Sequence, residues 1–209
     1  MEIKNLKLSI IGMQVEKYEY SEEKRNFCRE KFGFSPTDIV IGHVGRFNDV
    51  KNQKFIIEVF EELTKLNNQY KLVFCGDGEL RGELSLYCKE NGLDGKVLFL
   101  GVRKDINEIL QAFDLFVFPS KYEGLPLALI EPQLTGLTCF ISKNVPDEAI
   151  YNSNVLKLGI EESDKETWIK QIIALPVTTA YRTYKNEKLY NDYDIKNVVE
   201  RLSDVWGRP

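Results

Sequence analysis

The chain alternates between short, continuous apolar runs and longer segments in which apolar residues recur at helical spacing. Ile39–Val44 is a run of the first kind, and Asn52–Leu66 after it has an apolar face opposite a charged one. These patterns predict a buried strand followed by an amphipathic helix. Further strands are predicted at Lys71–Cys75, Val97–Leu100, Leu115–Phe118, Thr138–Ile141 and Asn154–Leu158, and further helices at Glu79–Glu90, Asp105–Ala112 and Leu127–Leu134.

The predicted strands are apolar throughout, whereas strands with one wet face alternate between apolar and polar residues. Continuous runs are typical of strands covered on both faces, as in a parallel sheet between helices. Strands and helices that take turns indicate right-handed βαβ units. The sequence therefore predicts an α/β fold: a doubly wound, mostly parallel, Rossmann-like sheet flanked by helices. Ligands of such sheets bind at the carboxyl ends of the strands.

One domain is predicted over residues 1–209, because this length is ordinary for a single domain. Residues 1–37 contain a short predicted strand, Leu8–Ile11, and a leading helix, Ser21–Phe32. Residues 38–160 form the α/β core, and residues 161–209 are predicted to be mostly helical, with the last helix at Ile195–Trp206. Four tyrosines of this tail are predicted to pack in helices rather than to form a glycan surface: Tyr181, Tyr184, Tyr190 and Tyr193.

Composition excludes several classes of protein. The apolar fraction of 43% and the charged fraction of 29% are those of a globular chain. A net charge of −4 argues against nucleic acid as a partner. None of the four cysteines forms a C-x-x-C motif, and Cys75 and Cys139 lie in apolar runs as predicted core residues. With neither a signal peptide nor a membrane span visible, we expect a soluble, cytoplasmic protein.

The loop after the first strand, residues 45–52, combines a glycine with two cations. Gly45 lets a ligand approach the backbone, and Arg46 and Lys51 lie at the carboxyl edge just before a helix. This combination predicts an anion site. The loop alone leaves open the alternative that both cations are solvated surface residues.

A second glycine-rich loop, Gly76-Asp77-Gly78, follows the next strand. It does not form the dinucleotide-binding G-x-G-x-x-G, because Arg81 occupies the position of the third glycine. A tight turn that caps the following helix is predicted instead.

The loop after the fourth strand carries two carboxylates eight residues apart. Glu123 lies in the loop and Glu131 about one turn into the next helix, so both can face one cleft. Gly124 and Leu125 offer backbone N–H groups nearby. A sugar joined to a diphosphate needs such acceptors and donors, but a surface Glu123 and a salt-bridged Glu131 remain the alternative. The single histidine, His43, is predicted to be a structural strand residue.

Four motifs occur together in one order. They are Val44-Gly45-Arg46 with Lys51, Phe74-Cys75-Gly76-Asp77-Gly78-Glu79-Leu80, Leu98-Phe99-Leu100-Gly101 followed by Asp105-Ile106, and Pro119-Ser120 through Glu131 and Gly136. They resemble the G-R-x(4)-K, G-x-G-x-L, strand-and-turn and P-S-x-x-E-G-x-P-x-x-x-x-E (E-x7-E) signatures of retaining GT-B glycosyltransferases of family 4 (group 1). The resemblance covers residues 38–160 and is to the C-terminal, donor-binding half of these enzymes.

The resemblance implies a role for each matched residue. Gly45, Arg46 and Lys51 would bind the donor diphosphate, and the two cations would stabilise charge on the leaving group. Glu131 would accept hydrogen bonds from the ribose hydroxyls, and Glu123 would contact the transferred sugar, so that Arg46, Lys51 and Glu123 are the implied catalytic residues. The remaining implied donor contacts are the backbone of Gly124, Leu125, Pro126 and Leu127, with Val102 and Arg103 near the base.

The resemblance also implies the partners. The substrate would be a nucleotide-sugar, with UDP expected and GDP or ADP as alternatives, and the product a growing surface polysaccharide that receives a hexose or N-acetylhexosamine. No metal and no cofactor are expected, and no D-x-D motif occurs in the sequence.

The chain departs from the family pattern in two respects. Members have two similar domains, whereas this chain has the length of one, so we expect the N-terminal acceptor domain to be absent and residues 1–37 to derive from the interdomain linker. The isolated chain is then expected to be inactive, and any peripheral membrane association to depend on the full-length protein. Secondly, Pro132 follows Glu131 and predicts a kinked or short helix.

Two other functions remain open from the residues. One is half of a nucleotide-sugar epimerase, although a chain with one histidine offers little of the chemistry such enzymes use. The other is a non-catalytic binding module on the same scaffold.

Overall fold

Six strands form one parallel sheet in the computed structural model, which describes residues 11–176, 182 and 185–206. The strands are β1 (Ile39–Val44), β2 (Tyr70–Cys75), β3 (Val97–Phe99), β4 (Leu115–Phe118), β5 (Thr138–Ser142) and β6 (Val155–Leu158). The helices are α1 (Glu22–Lys31), α2 (Gln53–Leu66), α3 (Arg81–Glu90), α4 (Ile106–Ala112), α5 (Leu127–Leu134), α6 (Lys165–Ala174), α7 (Glu187–Tyr193) and α8 (Ile195–Trp206).

The strand order is β3-β2-β1-β4-β5-β6, and every pair is parallel. The predicted fold class is confirmed. From β1 the next strands in sequence, β2 and β3, are added toward one edge of the sheet, and from β4 the strands β5 and β6 are added toward the other. Strands β1 and β4 are neighbours, with Ile41 opposite Leu115. The topological switch point therefore lies between β1 and β4, where sheets of this order bind ligands.

Both faces of the sheet are covered, which explains the continuous apolar runs. Ile41 and Leu72 pack with α2 and α6 on one face, whereas Val40 and Val73 pack with α4 and α5 on the other. The four cysteines are buried and unpaired, so the prediction for Cys75 and Cys139 is confirmed.

The predicted and observed bounds agree most closely where an apolar run stops abruptly. Ile39–Val44, Leu115–Phe118 and Leu127–Leu134 have the predicted ends. Helix α3 begins later than predicted, at Arg81 rather than Glu79, because the turn before it packs against another loop. Tyr193 of α7 is buried and Tyr190 partly buried in a cluster with residues of α5, so both pack in a helix as predicted. The predicted strand Leu8–Ile11, except for Ile11, and Tyr181 and Tyr184 lie outside the described residues.

Three buried arginines surround the carboxyl end of α4. Arg25 and Arg29 of α1 bind Asp114, with nitrogen–oxygen distances of 2.5 and 3.1 Å. Arg182 donates to the carbonyl oxygens of Leu110, Gln111 and Phe113, among others. Cations at a helix carboxyl end are favoured by the helix dipole and satisfy its free carbonyl groups. Burial and the neighbouring Arg25 lower the pKa of Arg182 to about 9.

Across the described ranges, no helix is both long enough and apolar enough to cross a membrane.

Candidate functional site

The loops that follow β1 and β4 meet at the carboxyl edge of the sheet. The backbone N–H of Lys121 donates to the carbonyl oxygen of Val50 at 2.8 Å, and its ammonium lies 2.6 Å from a carboxylate oxygen of Asp49. Asn52 donates from its side chain to the carbonyl oxygen of Pro119. These contacts join two segments that are about seventy residues apart in sequence but adjacent at the switch point.

Lys51 and Glu123 form an ion pair across this junction. The ammonium of Lys51 lies 2.5 Å from Glu123 Oε1 and 4.9 Å from the centre of the Phe118 ring. The side chains are only 18% and 10% exposed. Asn48 caps the short 3₁₀ helix Asp49–Lys51 and so fixes the position of Lys51. The alternatives in which Lys51 and Glu123 are solvated surface residues are therefore wrong.

Arg46 lies at the outer edge of the same loop. Its side chain is 72% exposed and lies 3.6 Å from a carboxylate oxygen of Glu79. The buried Gln53 donates to the carbonyl oxygen of Arg46 at 2.8 Å and holds the backbone in place. For Arg46 the alternative of a solvated surface cation therefore agrees with the structure, although its backbone is held at the edge of the cleft.

The turn Gly76-Asp77-Gly78 supports the β1 loop. A Cβ atom on Gly76, whose φ is 138°, would lie 1.9 Å from the carbonyl oxygen of Gly45, so only glycine fits. Phe47 N–H donates to Asp77, and Leu80 N–H donates to Phe47. The turn is tight, as predicted, and it meets α3 through its backbone: the carbonyl oxygen of Gly78 accepts from the N–H of Arg81, the first residue of the helix, at 3.2 Å. No side chain of the N-cap residue contributes to this cap. The glycines of the turn permit a close approach of two loops.

Glu131 lies in the second turn of α5, and Pro132 is the sixth of the eight residues of this helix. The helix is short, as the proline predicted. Tyr18 O–H donates to Glu131 Oε1 at 2.7 Å, so the alternative of a salt-bridged Glu131 gains no support. Burial raises the pKa of Glu131, and the hydrogen bond from Tyr18 opposes that shift. Burial is the larger of the two influences on the pKa of Glu131.

The raised pKa of Glu131 predicts a pH-dependent cost to folding. When the pKa of a group is higher in the folded state than in the unfolded state, the folded state binds more protons at pH values between these two pKa values. Stability therefore falls as the pH rises through that range. We expect Glu131→Gln, which keeps an acceptor for Tyr18, to be more stable than the wild type above that range. Chemical denaturation from pH 4 to pH 8 measures this. A stability difference that does not grow with pH would contradict a buried Glu131 with a raised pKa.

The other predicted residues lie on the neighbouring loops. Val102 is 78% exposed after β3, and Arg103 donates to both carboxylate oxygens of Asp105, at 2.8 and 2.5 Å. Pro126 is the N-cap residue of α5, and Leu127 is its first residue. Gly124 and Leu125 precede them, with the side chain of Leu125 exposed. All of these residues are placed on loops after β3 and β4, at the same edge as Lys51.

His43 is fully buried in β1 beside this edge. Its Nδ1 lies 2.9 Å from the carbonyl oxygen of Val117, so Nδ1 carries the proton and donates it. Burial lowers the pKa of His43 to about 4, which keeps the ring neutral. This geometry agrees with the predicted structural role. Within the described ranges, no group of three or more His, Cys, Asp or Glu side chains could hold a metal ion.

Two site contacts were not predicted from sequence. Tyr18 lies 113 residues before its partner Glu131. Gln53 belongs to none of the motifs, and only its position directly after the loop that contains Lys51 indicated that it could contact this loop. Both act on residues that the motifs did identify.

Sequence comparison relates the chain to one family. The family model described as "Glycosyl transferases group 1" matches residues 24–182. The UDP-Gal:alpha-D-GlcNAc-diphosphoundecaprenol alpha-1,3-galactosyltransferase of Escherichia coli is 30% identical over 209 residues, covering 96% of this chain and 54% of that protein. The putative glycosyltransferase EpsF of Bacillus subtilis is 40% identical over 116 residues, a match that covers 56% of this chain and 30% of that protein.

Solved structures share the fold. Anabaena Alr3699/HepE in complex with UDP and glucose superposes with a TM-score of 0.78 at 21% identity, covering 95% of this chain and 55% of that one. The C-terminal domain of a glycosyl transferase group 1 family protein, LpcC, from Francisella tularensis gives a TM-score of 0.65 at 19% identity, covering 87% of this chain and 96% of that one. The chain spans about half the length, or less, of the curated relatives it matches.

Proposed function

Because this chain belongs to the glycosyl transferases group 1 family, we propose that it is the donor-binding domain of a retaining glycosyltransferase. It binds a nucleotide-sugar, with UDP as the expected nucleotide, in the cleft at the switch point. Family membership disfavours the epimerase alternative, since the relatives are glycosyltransferases.

The contact between Lys51 and Glu123 carries the proposal. It places a cation suited to a phosphate beside a carboxylate suited to sugar hydroxyls, at the edge where this fold binds ligands. A nucleotide-sugar presents both groups, a diphosphate and a hydroxylated ring, a few ångströms apart. A site for a simple anion would have no use for this largely buried carboxylate.

The cations have a defined task in the reaction. During transfer the bond between the anomeric carbon and the diphosphate breaks, a bond to the acceptor oxygen forms, and the acceptor hydroxyl passes its proton to the departing diphosphate. Negative charge accumulates on the departing diphosphate. Lys51 and Arg46 stabilise that charge from fixed backbone positions, which is the kind of electrostatic preorganisation that contributes most to many enzymes.

The carboxylates recognise the neutral parts of the donor. Glu123 accepts hydrogen bonds from the transferred sugar, and Glu131 accepts from the ribose. Backbone N–H groups near the start of α5, at Gly124 and Leu125, contact the sugar or the phosphate, and Val102 and Arg103 lie near the base. This assignment follows the E-x7-E spacing of family 4 enzymes.

Retention is proposed from the resemblance to family 4, and the pathway from the names of relatives. The E. coli relative is named as an alpha-1,3-galactosyltransferase that uses UDP-Gal. Another relative is named for capsular polysaccharide biosynthesis in Staphylococcus aureus. We therefore propose transfer of a hexose or N-acetylhexosamine to a surface polysaccharide, in the cytoplasm, with the acceptor bound by a second domain of the whole protein and no metal or cofactor required.

Nucleotide binding by the 209-residue chain tests the proposal. We expect one of UDP, GDP and ADP, with UDP favoured, to raise the melting temperature. A ligand at one hundred times its Kd stabilises a protein by about 2.7 kcal/mol, which for this size corresponds to roughly 5–11 °C. If none of the three nucleotides or their sugars shifts the transition or gives heat on titration, the chain has no formed donor site and the proposal is wrong.

Arg46→Ala is expected to weaken UDP binding about tenfold. One charge-assisted hydrogen bond contributes at least about 1.5 kcal/mol, and the exposed side chain has little structural role to lose. Isothermal titration measures the Kd. Lys170→Ala is the matched control, since its side chain is 70% exposed and also pairs with a carboxylate. Equal affinities for the two variants would remove Arg46 from the site.

A further inference from the structure

Tyr18 contacts a predicted donor-binding carboxylate although it belongs to none of the family motifs. Its hydroxyl donates to Glu131 Oε1 at 2.7 Å, in a partly buried environment. Tyr18 precedes the α/β core in sequence and ends the 3₁₀ helix Val15–Tyr18. The contact therefore joins the leading segment to the helix that carries Glu131.

The leading segment is fixed firmly enough to position a side chain. Val15 is buried against Ile130 and Leu134 of α5, together with Leu189 and Tyr193 of α7. Backbone hydrogen bonds reinforce this packing on the tail side. Met13 N–H donates to Tyr193 at 2.7 Å, and Ile195 N–H donates to Met13 at 2.9 Å. The segment is thus held on two sides, by an apolar cluster and by backbone pairing.

The hydrogen bond leaves Glu131 able to bind a diol. A carboxylate has about four acceptor positions on two oxygens, and Tyr18 uses one position on Oε1. The second oxygen and the remaining position on the first stay available to two neighbouring hydroxyls. Burial and the adjacent Glu131 raise the pKa of Tyr18, so the hydroxyl remains a neutral donor.

Loss of this donor would harm the carboxylate in two ways. Without it the Glu131 carboxylate would lose the hydrogen bond that fixes the orientation of its Oε1. Burial would also favour the protonated form, which offers fewer acceptors to hydroxyls. Both effects weaken the recognition of a ribose and leave contacts to the phosphates unchanged.

We infer that Tyr18 is a positioning residue that orients Glu131 toward the 2′- and 3′-hydroxyls of the donor ribose and so contributes to selection against deoxyribose. The inference rests on the proposed function, since it assigns the ribose to Glu131. It extends the donor site to a residue outside the α/β core. Tyr18 itself does not touch the ligand.

The test compares UDP with 2′-deoxy-UDP by isothermal titration. The wild type is expected to prefer UDP, and Glu131→Gln is expected to lose most of that preference. Tyr18→Phe removes only the hydroxyl. It is expected to weaken UDP binding about five- to tenfold, which is within the net effect of one typical intramolecular hydrogen bond. It is expected to weaken 2′-deoxy-UDP binding less, so that the preference for UDP over 2′-deoxy-UDP narrows.

Tyr151→Phe is the matched control. Tyr151 borders the same apolar cluster, and its hydroxyl also donates to a carboxylate, Asp192, at 3.0 Å. This variant is expected to keep the wild-type preference even if its melting temperature falls. A merely structural Tyr18 would behave in the same way.

The outcomes separate the inference from the proposal beneath it. If the wild type binds UDP and Glu131→Gln loses the ribose preference while Tyr18→Phe retains it, the positioning role is wrong and the donor site stands. If Glu131→Gln has the wild-type preference, the ribose assignment itself is wrong. If the wild type binds GDP or ADP instead of UDP, the same comparison is made with that nucleotide and its 2′-deoxy form. If it binds none of the three nucleotides, both fail.

Discussion

Asp114→Asn is expected to destabilise the chain by about 3–5 kcal/mol, the cost of breaking a buried ion pair by removing one partner. Asp114 is the carboxylate that both Arg25 and Arg29 contact, and its side chain is only 6% exposed. The same carboxylate accepts a hydrogen bond at 2.7 Å from the N–H of Val40, the second residue of β1. For a chain of this size the melting temperature should fall by about 6–20 °C.

The size of this effect follows from what the substitution leaves behind. Both guanidinium groups remain buried, with Arg29 still donating to carbonyl groups of Ala112, Ser35 and Asp38. Their hydrogen bonds survive in part, but their charge loses its counter-ion while Arg182 lies nearby. Burial of unpaired charge has a large free-energy cost because the interior cannot replace the hydration of the ions.

Asp147→Asn is the matched control for this experiment. Asp147 also forms an ion pair, with Lys157 at 2.6 Å, but its side chain is 85% exposed. Exposed pairs contribute little, so its melting temperature should stay close to that of the wild type. Comparable losses for the two variants in thermal or urea unfolding would contradict the structural role of the arginine cluster.

The sequence was sufficient to predict the strands of the sheet, for a physical reason. Strands covered on both faces are apolar at every position, so runs such as Leu115–Phe118 have sharp ends that an alternating strand lacks. The same reasoning predicted α5 at Leu127–Leu134. The strand order, which places β1 beside β4, could not be predicted, since local periodicity carries no record of which strands pair.

The loops with chemistry were predicted in part. Glycines and charges after β1 and β4 stood out because they interrupt apolar runs at the ligand-binding edge. Asp114 did not stand out, although it lies directly before β4, because an acidic residue in a turn is ordinarily solvated. Its role depends on Arg25 and Arg29, more than eighty residues earlier. Tyr18 escaped notice for the same reason. Side-chain contacts across long sequence separations leave no local pattern.

Lys51→Met is expected to weaken UDP binding about 100-fold. The substitution removes the ammonium and keeps an unbranched side chain for the contact with Phe118. A charge-assisted hydrogen bond contributes up to about 3 kcal/mol, and each 1.4 kcal/mol changes Kd tenfold. In addition, Glu123 is left as an unpaired, 10% exposed carboxylate that repels the incoming diphosphate. Lys54→Met, on an exposed position of α2, should bind UDP like the wild type.

The ion pair predicts an opposite effect for its other member. The Glu123 carboxylate is bound to the ammonium of Lys51, so a diphosphate must displace that carboxylate before it can bind the ammonium. Glu123→Gln removes the competitor, and we expect UDP, which carries no sugar, to bind several-fold more tightly. Glu123→Gln should improve UDP binding more in the Lys51→Met background than in the wild type, because there the carboxylate is unpaired and repels the diphosphate directly. We expect the two gains to differ by more than about 0.5 kcal/mol, which is the coupling energy of the pair. Titration of the four proteins measures this cycle. If Glu123→Gln weakens UDP binding as much as Lys51→Met does, Glu123 supports the phosphate site and does not compete with the ligand. If the effects of the two substitutions on the free energy of UDP binding are additive, the contact between the two side chains has no part in binding.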